Sequence, residues 1–270
     1  MKKIFLDFRE KLLAFRDGLS MNSWKQYNFE SPDEMRSYIL QQLHLRNERI
    51  SLGACIDAKP SFSQCGEDLI VAYIFTALGI NHGNYLDVGG HHPFHLNNTF
   101  YFYQRGWRGV NVDPICERIE LFKIKRPEDI SICAGLGGKD QIKEFYLMDA
   151  ETLSTFDHDI YKAYLAAGHS LKEKRNIRFV NVKTFLAEVG ISNIDLLSVD
   201  IEGDDKAIVS EVVDCGIRPK VIICESVFYS KNIDIKKKNT DVVRSIEALG
   251  YEVYADTFVN TIFVNKEILM

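Results

Sequence analysis

Several common functional signatures are missing from this sequence. No apolar run of about eighteen residues occurs, so no helix is predicted to span a membrane. There is no Cys-x-x-Cys pair of the kind that binds zinc, and no Gly-x-Gly-x-x-Gly loop of the kind that holds a pyrophosphate. The net charge of −5 gives no reason to expect nucleic acid as a partner. No internal repeat or low-complexity segment occurs either, which leaves an ordinary globular protein.

The cysteines are scattered, and Cys133 and Cys224 lie inside apolar, strand-like runs. We therefore expect buried, reduced thiols in a cytoplasmic protein. The opening segment "MKKIFLDFREKLLAF" has charges in the region that a signal peptide keeps apolar, and it is instead typical of an amphipathic helix. We predict that residues 1–58 form a helical N-terminal extension that packs against the body or forms a homodimer, and that residues 59–270 form the catalytic domain.

Helices and strands are predicted to alternate after Ser63. The short apolar strands "NYLDV", "GVNV", "IDLLSVD" and "KVIICES" are each followed by a helical pattern, which after "NYLDV" covers residues 97–105. The middle is less regular: the strand "DISICAG" is followed by a second strand, "IKEFYLM", then by a helix and by the strand "IRFVNV", which begins at residue 177. Such alternation favours an α/β fold, in which a mostly parallel sheet is covered on both faces by helices. The last two strands, "YEVYAD" and "TIFVN", are too close in sequence for a crossover, so they should pair antiparallel.

Three predicted strands end on an acid: Asp87, Asp113 and Asp200. Each acid taken alone could simply cap the turn or helix that follows it. Together they indicate a common ligand, because ligands of open parallel sheets bind at the carboxyl ends of the strands. A glycine turn between two acids, without a phosphate loop, suits a phosphate-free nucleoside that carries positive charge. S-adenosylmethionine is such a ligand.

An ordered set of motifs extends this interpretation. They are "FSQCGEDLIV", "YLDVGGHHP", "NNTFYFYQRGWRGVNVDP", "AGLGGKD", "LST", "VKTF", "IDLLSVDIEGDD" and "NTIFVNK". In this order they resemble the FkbM-type family of class I S-adenosylmethionine-dependent methyltransferases, from about Phe62 to Asn265. The resemblance implies a Rossmann-like class I methyltransferase fold, a seven-stranded, mostly parallel sheet with an antiparallel last strand. It also implies O-methylation of a sugar, or of a nucleotide-linked sugar, in surface glycan or capsular polysaccharide biosynthesis.

The same resemblance assigns cofactor contacts. It places Asp87, Gly89 and Gly90 beside the methionine part of the cofactor and Asp113 at the ribose. Asp200 would flank the pocket in which the methyl group is transferred. The other implied cofactor contacts are Ser63, Gln64, Glu67, Asp68, Leu136 and Gly137. The sequence departs from many class I enzymes after this glycine turn, where it has His91, His92 and Pro93.

A sugar hydroxyl is a poor nucleophile while protonated, so a nearby base is expected. Asp200 is the first candidate, ahead of a loop histidine (His91) and Glu202, and His92, His95 and Glu225 are further candidates. The histidines could instead join Asp200 or Glu202 around a metal, but their spacing fits no standard ligand pattern, and we expect a site without metal.

Acceptor contacts are expected from His92, His95, Tyr161, Tyr164 and Lys236. For the tyrosines the alternative is ordinary helix packing, and for Lys236 it is a solvated loop. Two other functions remain open. One is an NAD-dependent nucleotide-sugar dehydrogenase or epimerase, and the other is a catalytically inactive methyltransferase fold that serves as a binding subunit.

Overall fold

The computed structural model describes residues 59–201, 205–228 and 237–269. The predicted N-terminal extension, Glu202 and Lys236 lie outside this part of the chain. In chain order the strands are β1 (Asn84–Val88), β2 (Arg108–Asp113), β3 (Ile130–Cys133), β4 (Gly135–Leu136), β5 (Gln141–Met148), β6 (Leu171–Val180), β7 (Leu196–Val199), β8 (Val221–Glu225), β9 (Val227–Phe228), β10 (Lys237–Lys238), β11 (Tyr251–Asp256) and β12 (Asn260–Asn265). The helices are α1 (Glu67–Ala77), α2 (Phe100–Tyr103), α3 (Cys116–Lys125), α4 (His158–Ala166), α5 (Val182–Val189), α6 (Asp205–Asp214) and α7 (Thr240–Ala248). None of these helices is long and apolar enough to cross a membrane.

Seven strands form the main sheet, in the order β11-β12-β8-β7-β1-β2-β3. The pairs from β8 to β3 are parallel, whereas β12 runs antiparallel to both of its neighbours. The expected seven-stranded sheet with one reversed strand is therefore confirmed. The predicted antiparallel pairing of the last two strands is confirmed as well.

Alternate residues of each strand supply the cores on the two faces of the sheet. Leu86 and Leu197 belong to a core with α5, α6 and α7, whereas their neighbours Tyr85 and Leu196 belong to a second core with α1 and α2. Both faces of the central strands are therefore buried. This explains why these strands are apolar at nearly every position.

Strands β4, β6 and β5 form a separate accessory sheet, in which β5 and β6 pair antiparallel. Strand β6 begins at Leu171 instead of the expected position 177, because its polar first half pairs with residues 145–148 of β5. The accessory sheet is tied to α3 by Arg175, whose guanidinium donates to both carboxylate oxygens of Glu117 at 2.6 and 2.7 Å. This bidentate pair holds the accessory sheet beside the end of β2.

The expectation of buried, reduced thiols is wrong for one pair, because Cys116 and Cys133 form a disulfide, and it is wrong in part for Cys65 and Cys215, which are exposed. Parallel pairing sets Cys133 opposite Asp113, the last residue of β2. Cys116, the first residue of α3, comes three residues after Asp113. The two Cα atoms are consequently 5.0 Å apart. A separation of 17 residues gave no hint of this contact in the sequence. The disulfide also removes reduced cysteines as an argument for a cytoplasmic location.

Candidate functional site

The carboxyl edge of the main sheet brings three acidic strand ends together. Strands β7, β1 and β2, which lead to Asp200, Asp87 and Asp113, lie side by side in that order. The backbone N–H of Asp200 donates to the carbonyl of Val88 on β1 at 3.0 Å. The backbone N–H of Gly89 donates to the carbonyl of Val112 on β2, one residue before Asp113, at 2.8 Å. The adjacency expected from the sequence is therefore present in the structure.

Gly89 lies directly against the backbone that follows β7. Its φ of +80° is in the left-handed region, and a Cβ atom built on it would lie 1.8 Å from the carbonyl oxygen of Asp200. No side chain fits at this position without moving one of the two strand ends. The loop after β1 and the residue after β7 are thus packed backbone against backbone, which leaves a turn bare of side chains at the centre of the edge.

Asp113 is buried and well supplied with donors. One carboxylate oxygen accepts from the N–H of Ile115 at 2.8 Å, and the other accepts from the N–H of His91 and from Arg118, both at 3.3 Å. Burial raises the pKa of Asp113, and Arg118 opposes that rise. A carboxylate has about four acceptor sites and two of the present bonds are long, so Asp113 retains capacity to accept ligand hydroxyls.

Asp87 faces inward, toward the chain segment that follows the glycine turn. One of its oxygens accepts from the amide of Asn97 at 3.0 Å and from the hydroxyl of Thr99 at 2.7 Å. Burial raises its pKa, while Arg126 and these hydrogen bonds lower it. Asp87 therefore anchors the loop after β1 from its buried side, through Asn97 and Thr99.

Asp200 is half-buried and lies in an acidic neighbourhood. The pKa of the Cys224 thiol is well above its ordinary value because of burial and, next, the nearby carboxylates of Asp205, Asp200 and Glu225. Asp205 accepts from the N–H of Ile201 at 2.9 Å, which fixes the backbone just after Asp200. Three carboxylates therefore lie close together at this end of the site: Asp200 directly after β7, Glu225 on β8 and Asp205 on α6.

The loop histidines have different roles in the structure. His91 is half-buried with a φ of +53°, and burial, followed by Arg118, lowers its pKa to about 4. Its imidazole is therefore neutral at pH 7, and the lowered pKa makes it a weak proton acceptor. The Nδ1 atom of buried His92 accepts from the N–H groups of Phe94 and His95 at 3.3 and 3.1 Å, so this ring caps the turn. The side chain of His95 is exposed.

Residues 63–68, expected to cover the cofactor, form a hydrogen-bonded turn at the start of α1. Asp68 accepts from the Phe62 N–H at 2.6 Å and from the Ser63 hydroxyl at 2.9 Å. Glu67 accepts from the Asn260 amide at 2.9 Å. Burial raises the pKa of Glu67, but hydrogen bonds, that from Asn260 first, bring it below its ordinary value. Gln64 is exposed.

Leu136 and Gly137 lie at the end of β4, where the Gly137 N–H donates to the carbonyl of Val180 at 2.8 Å. The Leu136 side chain belongs to the core of the main sheet. Tyr161 lies on α4 and stacks on Tyr146 with ring centroids 4.2 Å apart. Tyr164 lies one turn further along α4, a helix whose residues are all at least partly exposed. Tyr161 is thus held against the accessory sheet through Tyr146, and Tyr164 contacts His169 edge to face.

Three polar residues beside the site were missed by sequence reasoning: Arg126, Asn97 and Thr99. Asn97 and Thr99 were assigned to a helix over residues 97–105, whereas α2 begins only at Phe100 because the Asn97 side chain accepts from the N–H groups of Thr99 and Phe100. Thr99, directly before the apolar residues 100–103, is a helix-start signal that could have shortened this helix. Arg126 ends α3 just before Pro127, a position typical of a solvated side chain, yet it is fully buried. Nothing in the sequence indicates that burial.

Across the described ranges 59–201, 205–228 and 237–269, His, Cys, Asp and Glu side chains form no group of three or more that could hold a metal ion. The residues at the strand ends instead offer carboxylates and backbone groups. Carboxylates and backbone groups suit a ligand with hydroxyl and ammonium groups.

Comparison with known proteins gives a family assignment. The family model described as the methyltransferase FkbM domain matches residues 87–253, which include all three acidic strand ends. No curated protein shows significant sequence similarity to the chain. A solved structure of a TehB-like SAM-dependent methyltransferase from Corynebacterium glutamicum aligns with 11% identity and a TM-score of 0.40, covering 83% of this chain and 100% of that one. The family match covers more than half of the sequence, and on that basis the chain belongs to the FkbM-domain methyltransferase family.

Proposed function

We propose that the protein is an S-adenosylmethionine-dependent O-methyltransferase that methylates a hydroxyl group of a sugar or nucleotide-linked sugar. The observation that carries the proposal is the bare turn at Gly89, packed on the backbone of Asp200 and flanked by Asp87 and Asp113. This arrangement fits a cofactor that has ribose hydroxyls to donate and positive charge to be balanced, and that needs no phosphate loop. Membership of a methyltransferase family supports the same cofactor.

Each part of the edge would hold one part of the cofactor. Asp113 would accept the ribose hydroxyls, and the Gly89–Gly90 turn would approach the methionine part through its backbone. The backbone at Leu136 and Gly137 would border the adenine, and the turn over residues 63–68 would cover the methionine end. Bound S-adenosylmethionine supplies an electrophilic methyl group. The protein's task is then to place an acceptor oxygen in line with that group, about 3 Å from the methyl carbon.

Asp200 is the proposed base, because it lies at the carboxyl end of β7 between the glycine turn and β8. Its carboxylate would take the proton of the acceptor hydroxyl as the oxygen bonds to the methyl carbon, with the methyl–sulfur bond breaking and S-adenosylhomocysteine leaving. General-base help of this kind contributes about 10²–10⁴-fold. His91, neutral at pH 7, is the second candidate, and Glu202 is a third.

The sugar acceptor is inferred from the family resemblance and from the surface of the accessory region. Tyr161 and Tyr164 keep part of their rings exposed on α4, where a sugar face could stack. Exposed His95, together with His92 and Lys236, would supply polar contacts. A role in surface glycan or capsular polysaccharide biosynthesis follows from the same resemblance.

The first test is thermal unfolding with S-adenosylhomocysteine and, separately, with NAD. A ligand at about 100 times its dissociation constant adds about 2.7 kcal/mol, which raises the melting temperature by several degrees. We expect a rise with S-adenosylhomocysteine and none with NAD. A rise with NAD alone would overturn the proposal in favour of a nucleotide-sugar dehydrogenase or epimerase.

The second test separates an active enzyme from an inactive binding subunit. Sugar nucleotides and glycan fragments would be screened as acceptors with radiolabelled S-adenosylmethionine, using wild type and Asp200→Ala. We expect Asp200→Ala to lower turnover by about 10²-fold or more while S-adenosylhomocysteine affinity changes little. An equal loss of both would reassign Asp200 to cofactor binding. Cofactor binding without methylation of any acceptor would favour the binding subunit.

A further inference from the structure

Arg126 is a fully buried cation with a full set of partners beneath the candidate site. Its Nε donates to the carbonyl of Pro93 at 2.7 Å, Nη2 donates to Oδ1 of Asn97 at 2.6 Å, and Nη1 donates to Oγ1 of Thr99 at 2.9 Å. A longer bond of 3.3 Å joins Nη1 to Oδ1 of Asn111 on β2. One side chain at the end of α3 thus binds three residues of the segment that follows the glycine turn.

Two buried carboxylates balance this charge. Asp129 lies 3.8 Å from Nη1 of Arg126, and its oxygens accept from the hydroxyl of Tyr85 at 2.6 Å and the N–H of Gly109 at 2.9 Å. The second carboxylate is Asp87, whose pKa Arg126 lowers against the effect of burial. One guanidinium thus lies near two buried carboxyl groups.

The polarity of the hydrogen bonds links Arg126 to the site. Because Asn97 Oδ1 accepts from Arg126, its Nδ2 must face the other way, and there it donates to Asp87 and to the carbonyl of Gly90, both at 3.0 Å. The hydroxyl of Thr99 likewise accepts from Arg126 and therefore donates to Asp87 at 2.7 Å. A guanidinium has only donors, so it fixes the direction of both bonds.

We propose that Arg126 is a positioning residue for cofactor binding, which acts through Asn97 and Thr99 to hold Asp87 and the Gly89–Gly90 turn in the binding conformation. The inference rests on the proposed use of S-adenosylmethionine. Arg126 itself would not touch the cofactor. Its five N–H donors in a planar fork match the acceptors around it, and neither lysine nor glutamine reproduces that set.

The test compares the affinity for S-adenosylhomocysteine with stability in matched variants. Calorimetric titration well below the melting temperature would be done on wild type, Arg126→Gln, Arg126→Lys and Thr99→Val. The control is Asp195→Ala at the opposite edge of the sheet, where Asp195 is buried, pairs with Lys220 and accepts from the Asn84 N–H at 2.9 Å. All variants should melt at lower temperature than wild type, since each loses a buried polar contact.

The affinities should separate the variants. We expect Arg126→Gln to weaken S-adenosylhomocysteine binding about 10- to 100-fold, because a shift of the turn by about 1 Å misplaces every contact it makes. Arg126→Lys should regain part of this loss, Thr99→Val should show a smaller loss, and Asp195→Ala should bind as wild type does. If Arg126→Gln does not fold, Thr99→Val carries the test, since it removes one bond to Asp87 with little change in volume.

Wild-type affinity in both Arg126→Gln and Thr99→Val would overturn the inference and leave Arg126 as a stabilising residue only. So would a loss in Asp195→Ala as large as in Arg126→Gln, because binding would then follow stability alone. Wild-type protein that does not bind S-adenosylhomocysteine would refute the proposed function, and the inference with it. The two failures are distinguished by the wild-type titration.

Discussion

Replacement of Gly89 by alanine should damage stability and cofactor binding together. An L-residue at a φ of +80° costs about 1–2 kcal/mol relative to glycine. The added Cβ would also lie 1.8 Å from the carbonyl oxygen of Asp200 and 2.8 Å from its carbonyl carbon, both backbone atoms. Overpacking of this kind costs about 1–3 kcal/mol, so the free energy of unfolding should fall by about 2–5 kcal/mol.

Gly190 offers a matched control in the same chain. Its φ is +70°, and a Cβ atom there would meet no atom within 4 Å. The free energy of unfolding of Gly190→Ala should therefore fall only by the cost of placing an L-residue in the left-handed conformation, about 1–2 kcal/mol. At about 2–4 °C per kcal/mol, the melting temperatures of the two variants should differ by several degrees.

The assay is urea unfolding followed by circular dichroism, combined with calorimetric titration of S-adenosylhomocysteine. Gly89→Ala should bind S-adenosylhomocysteine about 10²-fold more weakly, because relief of the clash must separate the turn from Asp200 by about 1 Å. Gly190→Ala should bind as wild type does. Equal losses of stability in the two variants, with unchanged affinity in both, would refute the packing of the turn on Asp200.

Asp113→Ala should raise the dissociation constant of S-adenosylhomocysteine about 10- to 100-fold, because hydrogen bonds to a charged group are worth about 1.5–3 kcal/mol; unchanged affinity in calorimetry would remove Asp113 from the ribose. Reduction of the Cys116–Cys133 bond, whose partners are 17 residues apart, should lower stability by about 3 kcal/mol. Dithiothreitol should then lower the melting temperature of wild type but not of a Cys116→Ser/Cys133→Ser variant, and equal responses would contradict the disulfide. Burial holds the pKa of His91 at about 4 in the folded protein, against about 6.5 in the unfolded chain. Between about pH 4 and about 6.5 the unfolded chain therefore binds more protons at this residue than the folded protein does. Stability should thus fall as pH drops from about 6.5 towards 4, and His91→Asn, which tolerates a positive φ, should flatten that slope in urea titrations; an unchanged slope would argue against His91 as the source.

The sheet and the acidic strand ends could be predicted because they depend on local patterns. Short apolar runs between helical segments specify buried parallel strands, and the acids mark the positions where those strands meet solvent. The glycine turn was equally visible, since "DVGG" directly follows a strand. Sequence pattern and structure consequently agree in bringing Asp87, Asp113 and Asp200 to one edge of the sheet.

The support beneath the site could not be predicted, because it depends on contacts between distant segments. Arg126 reaches back 33 residues to Pro93, and a charged residue at a helix end ordinarily faces water. The disulfide depends on the register of β3 against β2, which sequence periodicity does not give. The polar first half of β6 is likewise a strand only because β5 lies beside it.

The two outer strands of the main sheet have consequences for self-association. An open edge strand exposes unpaired backbone groups to a second copy of the chain, and proteins protect such edges with short or irregular strands. At one edge β3 has only four residues, and its last residue is cross-linked to α3. At the other edge β11 has a register shift between Val253 and Ala255. Both edges are therefore poor templates for joining two sheets into one.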